Sequence, residues 1–339
     1  MKVLITGAAG FVGGYLVEEL LDHGYQVVGL DNYCKYGRVA KSYDNHPNYC
    51  FTEGDAKNVE LLKELIADCD QFIALAAIIG GISLFHEYAY DLLAENDRIM
   101  ASSFDAAIWA HKARKLKRIN VISSSMVFES TDVFPTPESE LLRCPPPKST
   151  YGFQKLGCEY YAKGASEQYG LPYTIIRPFN VIGVGEGRAL SDKEVMSGNI
   201  RLAMSHVVPD LVQKVLRGQD PLHILGHGDQ VRCFTYGGDV ARAIRLCMES
   251  ERAINEDFNV STPVPTTILQ LAQIIWGKIY KDRPFRYVTD KPYKYDVRRR
   301  IPSVEKAKML LGFEATTSLE DALDETIPWI RKQIEIGGI

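Results

Sequence analysis

The stretch that decides the fold is Lys2-Val3-Leu4-Ile5-Thr6-Gly7-Ala8-Ala9-Gly10-Phe11-Val12-Gly13. Its apolar first half has the length and composition of a short buried strand. From Phe11 to Asp22 the apolar residues recur at helical spacing, and Gly24 ends that helix. Gly7, Gly10 and Gly13 lie between strand and helix. Glycines placed there allow a tight turn in which backbone N–H groups and the helix dipole can meet a pyrophosphate.

The following strand, Gln26–Leu30, delivers an acid at Asp31, with Asn32 next to it. A carboxylate at that strand end accepts hydrogen bonds from a ribose 2′-hydroxyl and repels a 2′-phosphate, so the expected cofactor is NAD and not NADP. Phe11 and Val12 belong to the same cradle. Asp55, after Gly54, stands where an adenine contact is expected, or else caps the next helix.

Outward from this unit, strands and helices alternate. Tyr49–Thr52, Phe72–Ala76, Ile119–Ser123 and Tyr173–Arg177 are expected as strands. Val59–Ala67, Asp91–Arg114 and Tyr151–Tyr169 are expected as helices. Units of this kind build a parallel sheet with helices on both faces. After Phe179 the rhythm breaks. Gly183–Ser205, rich in Gly, Ser and charge, is expected to be a substrate loop, with a helix at Val207–Leu216 and a strand at Leu222–Leu225. The expected architecture is therefore α/β: a Rossmann-type doubly wound parallel sheet over residues 1–180, to which 233–262 return. A smaller α/β carboxy-terminal substrate lobe takes 181–232 and 263–339.

Composition narrows the class. Among 339 residues, 46% are apolar and 24% charged, with 39 basic against 43 acidic side chains and a net charge of −4. Such a chain has no general attraction to nucleic acid or to an anionic membrane. The basic stretch His111–Arg118 has the look of a solvated helix end. Seven scattered cysteines without a C-x-x-C form neither a disulfide framework nor a metal site, and suit a reducing cytoplasm. No apolar run is long enough to span a bilayer, and the amino terminus enters a strand at once, so no signal peptide is expected.

The reactive constellation is Tyr151-Gly152-Phe153-Gln154-Lys155, with Ser123-Ser124-Ser125 upstream. Residues four apart share one helix face. A tyrosine hydroxyl ordinarily titrates near 10, and bringing that to about 7 takes about 4 kcal/mol of differential stabilisation. A neighbouring ammonium and an oxidised nicotinamide both favour the phenolate. A serine hydroxyl can hold the substrate oxygen while its proton leaves.

These motifs together resemble the extended short-chain dehydrogenase/reductase family, in particular its NAD-dependent nucleotide-sugar epimerases and dehydratases. The resemblance runs nearly end to end, through Leu75-Ala76-Ala77, Asn96, Arg177-Pro178-Phe179-Asn180, Arg232–Tyr236 and Asp296-Val297-Arg298-Arg299. It implies that Ser124 is the catalytic serine, Tyr151 the base, and Lys155 the residue that tunes it and binds the nicotinamide ribose. It also implies that Ala76 lies against the cofactor and that Asn180, Ser125 and Met126 contact the substrate. Arg232 and Arg299 would clamp its diphosphate, since guanidinium forks match phosphate oxygens. A homodimer built on the long helix and the Tyr–Lys helix is implied as well.

Family members share oxidation of the sugar and differ in the steps after it. In dehydratases, and in decarboxylases with a glutamate at the same place, an acid stands where this chain has Ser125 and Met126. Those reactions are disfavoured, and the simplest remaining one is C4 epimerisation of a nucleotide sugar through a transient 4-keto sugar. A local resemblance pulls toward inversion at C3 or C5. Ala76–Ile82, including Gly81, is similar to the Gly-Gly loop of GDP-mannose 3,5-epimerase and GDP-fucose synthase. Ser205–Pro209 is similar to the histidine segment of the latter. Under that resemblance His206 is an acid–base group; otherwise it is a substrate contact. A non-catalytic NAD-binding scaffold is the alternative from another class.

Overall fold

The first strand, β1 (Lys2–Thr6), sits inside a seven-stranded parallel sheet because it is apolar on both faces. In the computed structural model the described residues are 1–80, 87–113, 115–187, 194–203, 206–292 and 297–338. The other strands of this sheet are β2 (Gln26–Asp31), β3 (Tyr49–Glu53), β4 (Gln71–Ala74), β5 (Arg118–Ile122), β6 (Tyr173–Pro178) and Glu256–Val260. From one edge the order is Glu256–Val260, β6, β5, β4, β1, β2, β3. The chain therefore runs outward from β1 through β2 to β3, then crosses to the other side of β1. The crevice opens where that direction reverses, above the carboxyl ends of β1 and β4.

Alternation along β1 divides its side chains between two cores. Val3 and Ile5 face the helices Phe11–Asp22 and Gly237–Glu249 through Leu16, Leu20, Val240 and Ile244. Leu4 joins Leu62, Phe72, Met100, Phe104 and Ala162 on the other face, under helices Val59–Ile66, Ala89–Lys112 and Thr150–Tyr169. A third core gathers Val212, Ile224, Leu271, Trp276 and Leu323 from the later part of the chain. There, Leu222–Leu225 pairs in parallel with Tyr287–Asp290, and Val231–Arg232 lies between Thr266–Thr267 and Arg299–Arg300.

Two details differ from the expectation. Part of the segment read as a substrate loop, Glu194–Ser197 with Ile200–Ala203, is an antiparallel hairpin that turns at Gly198, whose φ is +56°. Residues 188–193 and 204–205 of that segment lie outside the described residues. Arg118, read as part of a solvated helix end, is buried. Its guanidinium donates to the carbonyls of Cys247, Met248 and Ser250 at 2.9–3.1 Å, closing the carboxyl end of helix Gly237–Glu249 where a cation is favoured.

Beneath the crevice lies a buried ion cluster. Arg177 on β6 donates from Nε and Nη2 to the two carboxylate oxygens of Glu159, each at 2.7 Å, and Nη2 also meets Asp257 at 2.7 Å. Ser123 Oγ donates to Glu159 at 2.7 Å, and Lys306 reaches Asp257 at 2.6 Å. Glu159 and Arg177 are fully buried. Breaking such a pair from one side strands a charge without water, which costs about 3–5 kcal/mol. Glu159→Ala is expected to lower unfolding free energy by about that much in denaturant titration, with a smaller loss for Glu159→Gln, which keeps an acceptor. A wild-type midpoint for Glu159→Ala would contradict this.

Candidate active site

The turn after β1 is built on close backbone approach. Gly7 has φ +78° and donates its N–H to the Leu30 carbonyl at 2.8 Å. A Cβ at Gly13 would stand 2.1 Å from the Gly7 carbonyl oxygen, so only glycine lets the helix start this near the strand. The N-cap, Gly10, offers no side-chain acceptor, and the first turn carries no acid. The start of the helix, whose first N–H groups have no intrahelical acceptor, borders a cavity of about 740 Å³ lined by Gly7, Gly10, Phe11, Val12 and Gly13. This cradle fits a dinucleotide diphosphate.

Asp31 lines the same cavity, with Oδ2 accepting from the Ala9 N–H at 3.1 Å and Oδ1 from that of Tyr33 at 2.8 Å. Burial pushes its carboxyl above the usual range, and those N–H groups oppose the shift. Asn32 also lines the cavity, and its Oδ1 accepts from the Cys34 N–H at 3.1 Å. Asp55 does not cap the next helix. Asn58 does so, accepting from the Leu61 N–H at 3.1 Å. Asp55 accepts from the Lys57 N–H at 2.9 Å in a local turn and lines the cavity. Ala76 donates to Thr6 Oγ1 at 3.3 Å, and Asn96 holds Ile78 by its N–H at 2.7 Å and its carbonyl at 2.9 Å. Together these fix the loop after β4 over the crevice. Gly81 lies outside the described residues.

The cavity continues to Ser124, Ser125, Met126, Tyr151 and Lys155. Ser124 stands in extended conformation after β5, its Oγ accepting from the Met126 N–H at 3.2 Å. The hydroxyl proton remains to be donated. Lys155 donates to the Ile122 carbonyl at 2.9 Å, and its ammonium lies 6.0 Å from the Tyr151 ring centre. Tyr151 is buried among Leu92, Met126, Ile79 and Val297. Ser149 caps this helix through the Gly152 N–H at 3.0 Å, and is itself held by Glu129. A Cβ at Gly152 would stand 2.7 Å from the Met126 carbonyl, so a glycine beside Tyr151 lets the helix press on the Ser124 turn.

At the other end of the cavity His206 forms the N-cap of helix Val207–Leu216, and its Nδ1 pairs with the buried carboxylate of Glu186. Both line the cavity. Asn180, at φ +38°, donates to the Cys233 carbonyl at 3.5 Å and lines it too. Arg232 is buried and lines the cavity, donating to the Val231 carbonyl at 2.9 Å. Arg299 does not line it. Strand alternation turns that side chain outward, and Arg300, in register with Arg232, lines the cavity in its place. Glu186, Arg300 and Lys214 are cavity residues that the sequence did not reveal. Among the described residues there is no cluster of His, Cys, Asp and Glu able to hold a metal ion, and no helix long and apolar enough to cross a membrane.

A glycine cradle followed by a partly buried acid, joined to a Ser–Tyr–Lys set, defines an NAD-using enzyme of the doubly wound class. The chain belongs to the NAD-dependent epimerase/dehydratase family, whose model matches residues 3–261, and NAD is its cofactor. It is similar to the UDP-glucose 4-epimerase of Thermotoga maritima solved with UDP-glucose. That likeness is 30% identity over 98% of this chain and 100% of the other, with a TM-score of 0.81. The UDP-glucuronic acid 4-epimerase of Bacillus cereus, solved with UDP-glucuronic acid and NAD, matches at 25% identity over 98% and 99%, with a TM-score of 0.82. A UDP-N-acetyl-alpha-D-glucosaminuronate decarboxylase of Bacillus cytotoxicus is 28% identical over 98% of each chain. By name all three act on UDP-sugars, so the local likeness to the GDP-mannose and GDP-fucose enzymes finds no support in them.

Asp31→Ser is expected to weaken NAD binding by about 10- to 100-fold and to admit NADP, in fluorescence titration of the apoprotein. An unchanged preference for NAD would contradict the role given to Asp31.

Proposed function

We propose that this chain inverts C4 of a nucleotide-diphosphate sugar. The observation that carries this reading, against the decarboxylase among its relatives, is Met126. Its buried side chain packs against Tyr151 where a further acid or base would have to stand. A thioether neither gives nor takes a proton, which leaves Ser124, Tyr151 and Lys155 as the reacting set.

In this reading Ser124 donates its hydroxyl to the sugar O4, and Tyr151 takes the 4-hydroxyl proton and later returns it. Lys155 is anchored by the Ile122 carbonyl and supplies the positive charge that favours a tyrosinate. NAD, when bound, supplies the hydride acceptor and donor. Arg232 and Arg300 hold the diphosphate, and Asn180 and Ser125 meet the sugar. Inversion needs the keto sugar to present its other face to the nicotinamide before hydride returns.

The His206–Glu186 pair supports a second reading, inversion at C3 or C5. A carboxylate on Nδ1 fixes the imidazole tautomer and turns Nε2 outward as an acid–base group. We infer further that the protein works in the cytoplasm, in keeping with seven free thiols. We also infer that it forms a homodimer through the helices Ala89–Lys112 and Thr150–Tyr169, which carry exposed Tyr90, Trp109, Phe153 and Tyr160. Sedimentation at twice the chain mass is expected; a monomer would overturn the dimer.

Tyr151→Phe is expected to cut kcat by at least about 100-fold while NAD still co-purifies, read from absorbance and turnover. Full activity in that variant would overturn the mechanism.

A further inference from the structure

Tyr15 is a phenol that the proposed chemistry leaves unused, set where the cofactor cradle meets the substrate end. It lies on helix Phe11–Asp22, directly after the glycine turn, and does not itself line the cavity. Its hydroxyl accepts from the Val184 N–H at 2.7 Å, across 169 residues of sequence. Its ring meets Phe11 edge-on at 5.8 Å and Tyr236 edge-on at 5.4 Å. Burial holds the hydroxyl above the usual tyrosine range, so it stays a neutral phenol at physiological pH. The chain makes room for it at two glycines. A Cβ at Gly237 would stand 2.5 Å from the Tyr15 ring, and one at Gly183 would run into its hydroxyl.

What Tyr15 holds has little stiffness of its own. In Gly183-Val184-Gly185-Glu186-Gly187 every second residue is glycine, and Gly183 and Gly185 have φ of +151° and +100°. Glycine loses more backbone freedom on ordering than any other residue. Glu186 in this segment is nonetheless 5% exposed, lines the cavity and pairs with His206 Nδ1. A carboxylate buried so fully on so loose a segment needs that segment fixed from outside. The Tyr15 hydroxyl fixes it two residues before Glu186. Elements of the cofactor side continue the seat: a Cβ at Gly185 would stand 3.8 Å from the Phe11 ring, and one at Gly187 3.9 Å from that of Tyr36.

We propose that Tyr15 is a positioning residue for the substrate. Its hydroxyl ties Gly183–Gly187 to the cofactor helix and thereby seats Glu186 on His206 at the far end of the cavity. Without that acceptor the Val184 N–H turns to water, and the glycines let Glu186 leave the imidazole. Tyr15 acts through Glu186 and His206 and not on the reacting atoms, so its effect falls on substrate binding and spares the chemical step. This role presupposes the nucleotide-sugar reading and adds the residue that organises its substrate end.

Steady-state kinetics of Tyr15→Phe, which keeps the ring and loses the hydroxyl, tests this with UDP-glucose, UDP-glucuronic acid and UDP-N-acetylglucosamine. KM is expected to rise about 5- to 10-fold, the worth of one hydrogen bond, with kcat and bound NAD retained. Glu186→Gln is expected to raise KM as well, and the double variant no further than the larger single effect, because both changes break one unit. An unchanged KM in Tyr15→Phe, a loss of kcat or NAD in its place, or multiplying effects in the double variant would overturn the assignment and leave the nucleotide-sugar reading standing. Wild type that accepts none of the three sugars would overturn that underlying reading instead. Where Tyr15→Phe does not fold, hydrogen exchange of wild type decides. The Val184 amide is expected to exchange slowly in the NAD-bound protein, and more slowly again with the sugar nucleotide that is turned over. Free exchange, or exchange that ignores the sugar nucleotide, would overturn the assignment.

Discussion

The buried carboxylate of Glu159 is the interaction on which the reactive geometry depends. It takes Nε and Nη2 of Arg177 and the hydroxyl of Ser123 inside a water-excluded core. Each of those partners comes from a different element. Ser123 follows β5 directly before Ser124; Arg177 lies on β6; Glu159 sits one helical turn after Lys155. Charges removed from water have to be fully paired, so the helix cannot slide or rotate without stranding one of them. Ser124, Tyr151 and Lys155 inherit their spacing from this cluster. The Gly152 contact then brings the start of the helix against the Ser124 turn.

The cavity has a division of labour along its length. One end is backbone and glycine, suited to a diphosphate by N–H groups and by the absence of Cβ atoms. The middle combines the Ser124 and Ser125 hydroxyls, one phenol and one ammonium with an apolar lining that includes Ile79 and Met126. The far end is polar and charged, with Glu186–His206, Arg232, Arg300 and Lys214. A nucleotide sugar has the same order of parts: a neutral reacting ring, two phosphates, then a hydrogen-bonding base.

The first half of the molecule was legible in the sequence because its signals are local. Strand Val3–Thr6, the glycine turn, helix Phe11–Asp22 and Asp31 succeed one another within thirty residues, and each is enforced by backbone geometry. Tyr151 and Lys155 were legible for the same reason, being one helical turn apart. The substrate end was less so. Glu186 acquires meaning only when the fold brings it to His206, and nothing in Gly185-Glu186-Gly187 marks it beforehand. Arg299 and Arg300 are adjacent, and only the strand register with Arg232 decides which of them turns inward. Asp55 and Asn58 both fit a helix cap, and the choice between them rests on a three-residue difference in where the helix begins. Arg118 looked like part of a basic surface tail because its carbonyl partners lie about 130 residues away.

The reaction turns on whether Met126 leaves the site with a single proton-transfer group or whether His206 provides a second. Proton NMR of product formed in D₂O, from UDP-sugars offered to the NAD-bound enzyme, separates the two directly. The account predicts a C4-inverted sugar without deuterium on carbon, because the hydrogen leaves and returns as hydride and never meets solvent. Deuterium at C3 or C5 would contradict it and make His206 catalytic.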